Sequence, residues 1–103
     1  MNNIENVDGI DRIEFSKNIT LYCPLGYGYY LAKVSVDITP DEILMDYLDI
    51  EEFFKSMEGQ EFIIEEAVAE IHDFLKTHYR PLEVIVKVTA ESNVHFPVTV
   101  TKY

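Results

Sequence analysis

The side chain with the clearest capacity for covalent chemistry is Cys23, the only cysteine of the chain. It stands directly before Pro24 and opens the segment Cys23–Gly28, whose two glycines permit a tight turn with exposed backbone amides. A thiol in such a position can act as a nucleophile. Free cysteines are also commonly buried as small hydrophobic residues, so position alone favours packing and leaves catalysis as the alternative.

Two carboxylates, Glu65 and Glu66, fall near the start of a predicted helix. Acidic side chains are stabilised there by the helix dipole, which accounts for both without any further function. Glu65 also follows the apolar pair Ile63–Ile64, where its carboxylate could turn inward toward a ligand. The run Tyr27–Tyr30 could stack on a flat heterocycle, although such aromatic clusters more often belong to a core or an interface.

The three histidines, His72, His78 and His95, do not have the close spacing of a metal site. The first two are six residues apart, which places them on different faces of a helix. A single cysteine also excludes internal disulfides and multi-cysteine metal sites. We therefore predict no metal.

Composition and charge restrict the classes of partner. The chain has 103 residues, 48% of them hydrophobic, which suits one domain with one core. Nineteen Asp and Glu against eight Lys and Arg give a net charge of −11, which repels a phosphate backbone and argues against a nucleic-acid partner. No apolar stretch of about 18 residues could span a bilayer, no signal segment is visible, and a lone thiol suits a reducing compartment. We expect a cytoplasmic protein without membrane association.

The elements that must position these side chains begin with two strands. From Arg12 to Tyr22 apolar residues alternate loosely, which predicts a strand, with residues 16–18 interrupting them as a bulge or bend. After the Cys23–Gly28 turn, alternate positions from Tyr30 to Ile38 are apolar, which predicts a half-buried antiparallel strand.

A first helix is predicted after these strands. Thr39, Pro40 and Glu42 are typical of an N-cap, a first helical position and the acidic member of a capping box. Apolar residues continue in helical spacing to Met57, either in one helix or in a helix restarted at Asp49, and Gly59 breaks the pattern.

A second, more regular helix and a hairpin complete the chain. Apolar residues recur with a period of about 3.6 from Glu61 to His78, which predicts the helix. Residues 84–88 and 94–100 then alternate in polarity and are joined by a predicted turn at 91–93.

This order of elements, ββααββ, predicts an α+β fold with a four-stranded antiparallel sheet and two helices on one face. We expect a flexible arm over residues 1–10 and a single domain over residues 11–103. Outward positions of the sheet include Tyr29, Leu31 and Ile85. Because such a face and the open sheet edges need cover, we expect a homo-oligomer.

The order of elements resembles the tunnelling fold, whose members bind purines and pterins at subunit interfaces through a glutamate on the second helix. Within it, the chain is most similar to the nitrile reductases of queuosine biosynthesis and their shorter archaeosine-pathway relatives. Leu21-Tyr22-Cys23-Pro24 resembles the segment bearing that family's nucleophilic cysteine. Val36–Asp41 resembles the strand end before its first helix, and Ile50–Glu66 resembles the helix pair that delivers the base-binding glutamate.

The resemblance implies a ligand and a reaction. Cys23 would add to the nitrile of 7-cyano-7-deazaguanine to give a thioimide, while Glu65 would bind the N–H edge of the base. More broadly, it implies binding of a purine-like or pterin-like heterocycle at a subunit interface of an oligomeric barrel. Two alternatives remain: a non-catalytic binding or assembly module of the same fold, and a pterin-type enzyme similar to the aldolase or cyclohydrolase members.

The chain departs from the reductases at three places. Tyr30 stands where they have an aspartate seven residues after the cysteine, and we assign Tyr30 to substrate binding. Ile64 stands where they have a histidine before the glutamate. Their nicotinamide-binding motif would fall near Asp46–Glu51, which is acidic here and unsuited to NADPH phosphates, so we predict no cofactor. The short relatives add ammonia to the nitrile on tRNA, which a charge of −11 fits poorly.

Overall fold

The computed structural model of the chain describes residues 4–91 and 95–103. In chain order its elements are β1 (Ile4–Glu5), β2 (Ile13–Cys23), β3 (Gly28–Thr39), β4 (Ile43–Leu44), α1 (Tyr47–Met57), α2 (Ile64–Tyr79), β5 (Glu83–Ala90) and β6 (Val98–Lys102). The four long strands form one antiparallel sheet in the order β2-β3-β5-β6, and β1 pairs with β4 in a separate two-stranded sheet. The predicted α+β architecture with a four-stranded antiparallel sheet is confirmed.

Strand β2 is continuous, and the bulge predicted at residues 16–18 is wrong. It pairs with β3 in one unbroken register from Ile13 opposite Ile38 to Cys23 opposite Gly28. Lys17 occupies an inward position of this alternation, which made the pattern look interrupted in the sequence. Its ammonium lies 2.8 Å from a carboxylate oxygen of Glu51 on α1, so the inward charge is paired.

The first helix begins later than the sequence predicted. Thr39 is still part of β3, where it pairs with Glu83. The chain then forms β4, and α1 starts at Tyr47 with Asp46 as its N-cap, whose side chain accepts the backbone N–H of Leu48 at 3.0 Å. The helix start predicted at Thr39 is therefore wrong, because strand pairing holds the residues that resemble a cap.

The N-terminal residues fold back on the domain. Ile4 and Glu5, within the segment expected to be a flexible arm, pair with β4. The backbone N–H of Asn6 donates to the carbonyl of Glu42 at 2.9 Å, and the Asn6 side chain accepts the N–H of Ile10 at 2.8 Å. These bonds explain how a polar segment without alternation acquires order.

The predicted second helix is confirmed as α2. It ends at Arg80, whose φ of 44° is left-handed, directly before Pro81. One face of α2 is buried, and both helices join a single core with the inward side chains of the sheet. The largest fully buried members of that core are Tyr79, Ile19, Leu21, Ile38, Ile71, Leu75, Val34, Val86 and Val88.

The predicted C-terminal hairpin is confirmed as β5 and β6, which pair from Ala90 opposite Val98 to Val86 opposite Lys102. Ser92, Asn93 and Val94, which belong to the predicted turn and strand start, lie outside the described residues. Because β3 and β5 are antiparallel neighbours, Ala90 at the end of β5 and Val98 at the start of β6 lie toward the same end of the sheet as the β2–β3 turn. This end carries the candidate site.

Candidate functional site

Cys23 is the last residue of β2 and pairs with Gly28 across a short turn. The N–H of Gly26 donates to the carbonyl of Cys23 at 3.3 Å, and Gly26 has a φ of 92° that other residues rarely adopt. The Cys23 side chain is 9% exposed and borders a cavity, so it is packed on one side and open to that cavity on the other.

The segment between the two helices runs along β2 and brings the start of α2 to Cys23. The N–H of Gly59 donates to the carbonyl of Thr20 at 2.7 Å. Tyr22 then donates to the carbonyl of Gln60 at 2.9 Å and accepts from the N–H of Phe62 at 3.0 Å. This ladder fixes the entry of α2 beside the end of β2.

Tyr30 adds a side-chain tie at the same place. Its hydroxyl donates to the carbonyl of Phe62 at 2.6 Å, which connects β3 to the residues before α2. Burial raises the pKa of the Tyr30 phenol to about 12, and the neighbouring Cys23 and Glu65 act in the same direction. The phenol therefore stays protonated at neutral pH and serves as a donor.

The two adjacent carboxylates of α2 have different surroundings. A carboxylate oxygen of Glu66 accepts the backbone N–H of Ile63 at 3.3 Å, so Glu66 caps its own helix. Glu65 instead lines the cavity next to Cys23. The structure thus separates a carboxylate that stabilises the helix start from one that can meet a ligand.

One cavity of about 470 Å³, called the Cys23 cavity below, is lined by Cys23, Tyr30 and Glu65 together. Its size lies in the range of sites that hold a small heterocycle. The structure brings these three residues together, although they come from β2, β3 and α2. Much of the remaining wall is apolar, formed by Leu25, Leu31, Ile63, Ile64, Ala90 and Val98. A thiol, a carboxylate and an apolar wall can bind a flat base by its N–H edge and attack an electrophilic carbon on it.

A second concavity, of about 510 Å³, lies between the end of α1 and the start of α2. Phe53, Met57 and Glu70 are among its lining residues. The described residues that line it include no thiol and no imidazole, so it offers less chemistry than the Cys23 cavity.

His95 is a member of the Cys23 cavity that the sequence did not identify. Its sequence neighbourhood contains no partner for it, so the sequence offers it only as a metal ligand. The signal that could have found it is topological: antiparallel pairing of the two hairpins places the residues before β6 beside the Cys23–Gly28 turn. Its ring meets the ring of Tyr27 edge-on, with centroids 5.9 Å apart.

The described residues, 4–91 and 95–103, also bear on metal binding and on membrane association. No group of three or more His, Cys, Asp or Glu side chains in these ranges is placed to hold a metal ion. Within the same ranges, neither helix has the length and apolar character needed to cross a membrane.

Comparison with known proteins identifies a solved structure with the same fold as this chain. No protein-family model matches the chain, and no curated protein matches it by sequence. Among solved structures, the chain is similar to the apo crystal structure of the archaeosine synthase QueF-like, with a TM-score of 0.83 and 19% identity. The match covers 90% of this chain and 92% of that chain. This likeness shows the fold and confirms the resemblance to the tunnelling fold.

Proposed function

We propose that this protein binds a purine-like heterocycle in the Cys23 cavity and that Cys23 adds to the nitrile of a 7-cyano-7-deazaguanine-type base. The observation that carries the proposal is the convergence of Cys23, Tyr30 and Glu65 on one cavity. The shared fold with an archaeosine synthase supports the same class of base. A reaction of this kind needs the thiol in a reducing compartment, which agrees with the expected cytoplasmic location.

Base recognition is assigned to Glu65. An ionised carboxylate accepts two parallel N–H donors, which is the pattern that a guanine-like edge presents. Glu65 is solvent-exposed in the single chain, so a second copy of the chain placed over the cavity mouth would strengthen these bonds by excluding water. Ile63 and Ile64 flank it and can pack against the flat ring.

The chemical step is an addition that needs no cofactor. The Cys23 sulfur forms a bond to the nitrile carbon, one π bond of the nitrile breaks, and the thiol proton ends on the nitrile nitrogen. The product is a thioimide that contains every atom of both reactants. A soft sulfur nucleophile suits a polarised nitrile carbon, and the apolar wall around Cys23 keeps competing water away.

Intact-mass measurement after incubation with 7-cyano-7-deazaguanine tests the proposal. We expect the wild-type chain to gain the full mass of the nitrile, since addition loses no atom. Cys23→Ser should give no stable adduct. Glu65→Gln should reduce adduct formation by roughly 100-fold at low ligand concentration, because one charge-assisted acceptor is lost.

Glu66→Gln is the matched control for Glu65→Gln. It removes the neighbouring charge, while a glutamine oxygen can still accept the N–H of Ile63. We expect wild-type adduct formation from it. Equal losses in the two variants, or iodoacetamide that reaches Cys23 only after denaturation, would contradict the proposal.

A non-catalytic binding module is the second candidate. The observation in its favour is that the Tyr30 hydroxyl is already bound to the carbonyl of Phe62. A phenol engaged in this way cannot readily protonate a bound intermediate. For this alternative, equilibrium dialysis should detect reversible binding of the heterocycle, whereas the intact mass stays unchanged.

A further inference from the structure

The Cys23 cavity contains an imidazole whose free nitrogen is defined by its hydrogen bonding. The Nδ1 atom of His95 lies 2.6 Å from the carbonyl oxygen of Phe96. A carbonyl oxygen can only accept, so Nδ1 carries the proton in this contact. In the neutral ring, Nε2 then carries the lone pair and is the atom able to take up a proton.

Nitrile addition requires a group that moves one proton from sulfur to nitrogen. The other described titratable side chains that line the cavity are three phenols and two carboxylates. Tyr27 meets the His95 ring edge-on and Tyr29 meets Tyr22, and a phenol is a weak acid at neutral pH. Tyr30 donates to the carbonyl of Phe62, and its pKa of about 12 makes it a weak acid. The carboxylate of Glu91 is engaged by the ammonium of Lys33 at 3.5 Å, and Glu65 is assigned to the base.

We propose that His95 is the residue that takes the proton from the Cys23 thiol and returns it to the nitrile nitrogen, an inference that rests on the proposed function. In the first half of the step Nε2 accepts the thiol proton as the carbon–sulfur bond forms. In the second half the imidazolium gives that proton to the nitrile nitrogen, so the histidine ends neutral. No external oxidant, reductant or base is consumed.

His95 would supply the proton transfer that Ile64 and Tyr30, at two other positions of the cavity, do not provide. Both of those side chains line the same cavity and neither transfers a proton at neutral pH. His95 lies shortly before β6, whereas Glu65 lies on α2, so the two side chains reach the cavity from different elements. The orientation of the imidazole depends on Phe96 and Tyr27, so His95 is held without help from the helix that carries Glu65.

Two rates measured on the same three proteins test this assignment: alkylation of Cys23 by iodoacetamide, and adduct formation with 7-cyano-7-deazaguanine. The proteins are the wild type, His95→Gln and His78→Gln. His78 is an exposed histidine on α2 that packs on Phe74 with ring centroids 4.6 Å apart, outside the Cys23 cavity. Both rates are followed between about pH 5.5 and 8.5, the interval that spans the titration of histidines and thiols.

We expect His95→Gln to slow both reactions at least about tenfold near pH 7, and His78→Gln to leave both unchanged. We expect adduct formation to slow more than alkylation, because only adduct formation also needs the proton returned to the nitrile nitrogen. A purely structural role would slow the two reactions equally. Equal alkylation rates for all variants in denaturant verify that only the folded environment differs.

The outcomes separate this inference from the proposed function. Wild-type adduct formation that is unaffected by His95→Gln overturns the role of His95 and leaves nitrile addition standing. Failure of the wild type to form an adduct, together with slower alkylation in His95→Gln, overturns the nitrile ligand but supports the coupling of His95 to Cys23. Absence of both effects overturns both proposals.

Discussion

His72 is a buried histidine on α2, only 5% exposed, that belongs to the core rather than to the cavity. Burial lowers the pKa of its imidazole, and the nearby Lys102 and Lys76 act in the same direction. Carbonyl groups of Tyr103 and Val84 partly oppose this shift. The folded chain therefore holds a neutral imidazole where the unfolded chain holds a protonated one, in mildly acidic solution.

The free energy of unfolding should consequently fall as the pH drops below the unfolded value of about 6.5, and level off below the lowered folded pKa. Because one proton is involved, the free energy of unfolding changes by at most about 1.4 kcal/mol per pH unit. Urea unfolding between about pH 7.5 and 5 measures it. We expect His72→Gln to flatten this dependence and the exposed His78→Gln to retain it; identical slopes in all three proteins would contradict the assignment.

Single side chains of the cavity differ in how far the sequence could identify them. Cys23 and Glu65 stand in short motifs that resemble a known family, so their positions could be predicted before any coordinates. His95 could not, because nothing near it in the sequence is a partner. His95 and Cys23 come to line one cavity only through the pairing of β3 with β5, which is information about the whole sheet.

At the scale of elements, a backbone ladder and one hydroxyl tie the segment before α2 to the sheet, in addition to the core packing of α2 itself. The ladder holds residues 59–62 against β2, and the Tyr30 hydroxyl holds the carbonyl of Phe62. Together they set the position of Glu65 relative to Cys23. A change in this connection should therefore affect both stability and the cavity.

Tyr30→Phe removes the hydroxyl and keeps the ring. We expect the free energy of unfolding to fall by about 1 kcal/mol, because a partly buried carbonyl loses its donor, and adduct formation to slow as Glu65 becomes less well positioned. Urea titration and intact-mass kinetics measure the two effects. Tyr47→Phe is the control, since Tyr47 is 59% exposed and does not line the Cys23 cavity. Equal behaviour of the two variants would show that the Tyr30 hydroxyl has no positioning role.

Element types were more predictable than element boundaries. Alternation over many residues identified β3, and the helical period identified α2, because long buried faces leave long patterns. The two-residue strands β1 and β4 are too short to alternate. Thr39-Pro40 has the composition of a helix start, yet pairing with β5 keeps Thr39 in a strand, since tertiary contacts override a local cap signal.

At the scale of the whole molecule, the sheet exposes two kinds of surface: its edges and the face opposite the helices. The strand order places β2 and β6 at its edges, and residues 59–62 cover β2 only from Thr20 to Tyr22. On the face opposite the helices, Tyr29 is 68% exposed and Leu31 is 45% exposed, and both also border the Cys23 cavity. Open edges and a partly apolar face are surfaces that proteins usually pair with another chain. Assembly would therefore cover the same end of the sheet that carries the candidate site.

We predict a closed homo-oligomer whose stability depends on salt. Each chain carries a net charge of −11, so copies of the chain repel one another. Dissolved salt screens this repulsion and so favours assembly. The screening length falls from about 30 Å at 0.01 M to about 10 Å at 0.1 M salt, so dissociation should increase as salt is removed. Light scattering at micromolar concentration should give a multiple of 12.0 kDa in moderate salt and a smaller mass in low salt. Leu31→Glu, which adds negative charge to the exposed face, should shift the same equilibrium toward the monomer, whereas Leu48→Glu on the exposed side of α1 should not. A mass of one chain at every salt concentration would contradict the assembly and leave the Cys23 cavity as a site of the single chain.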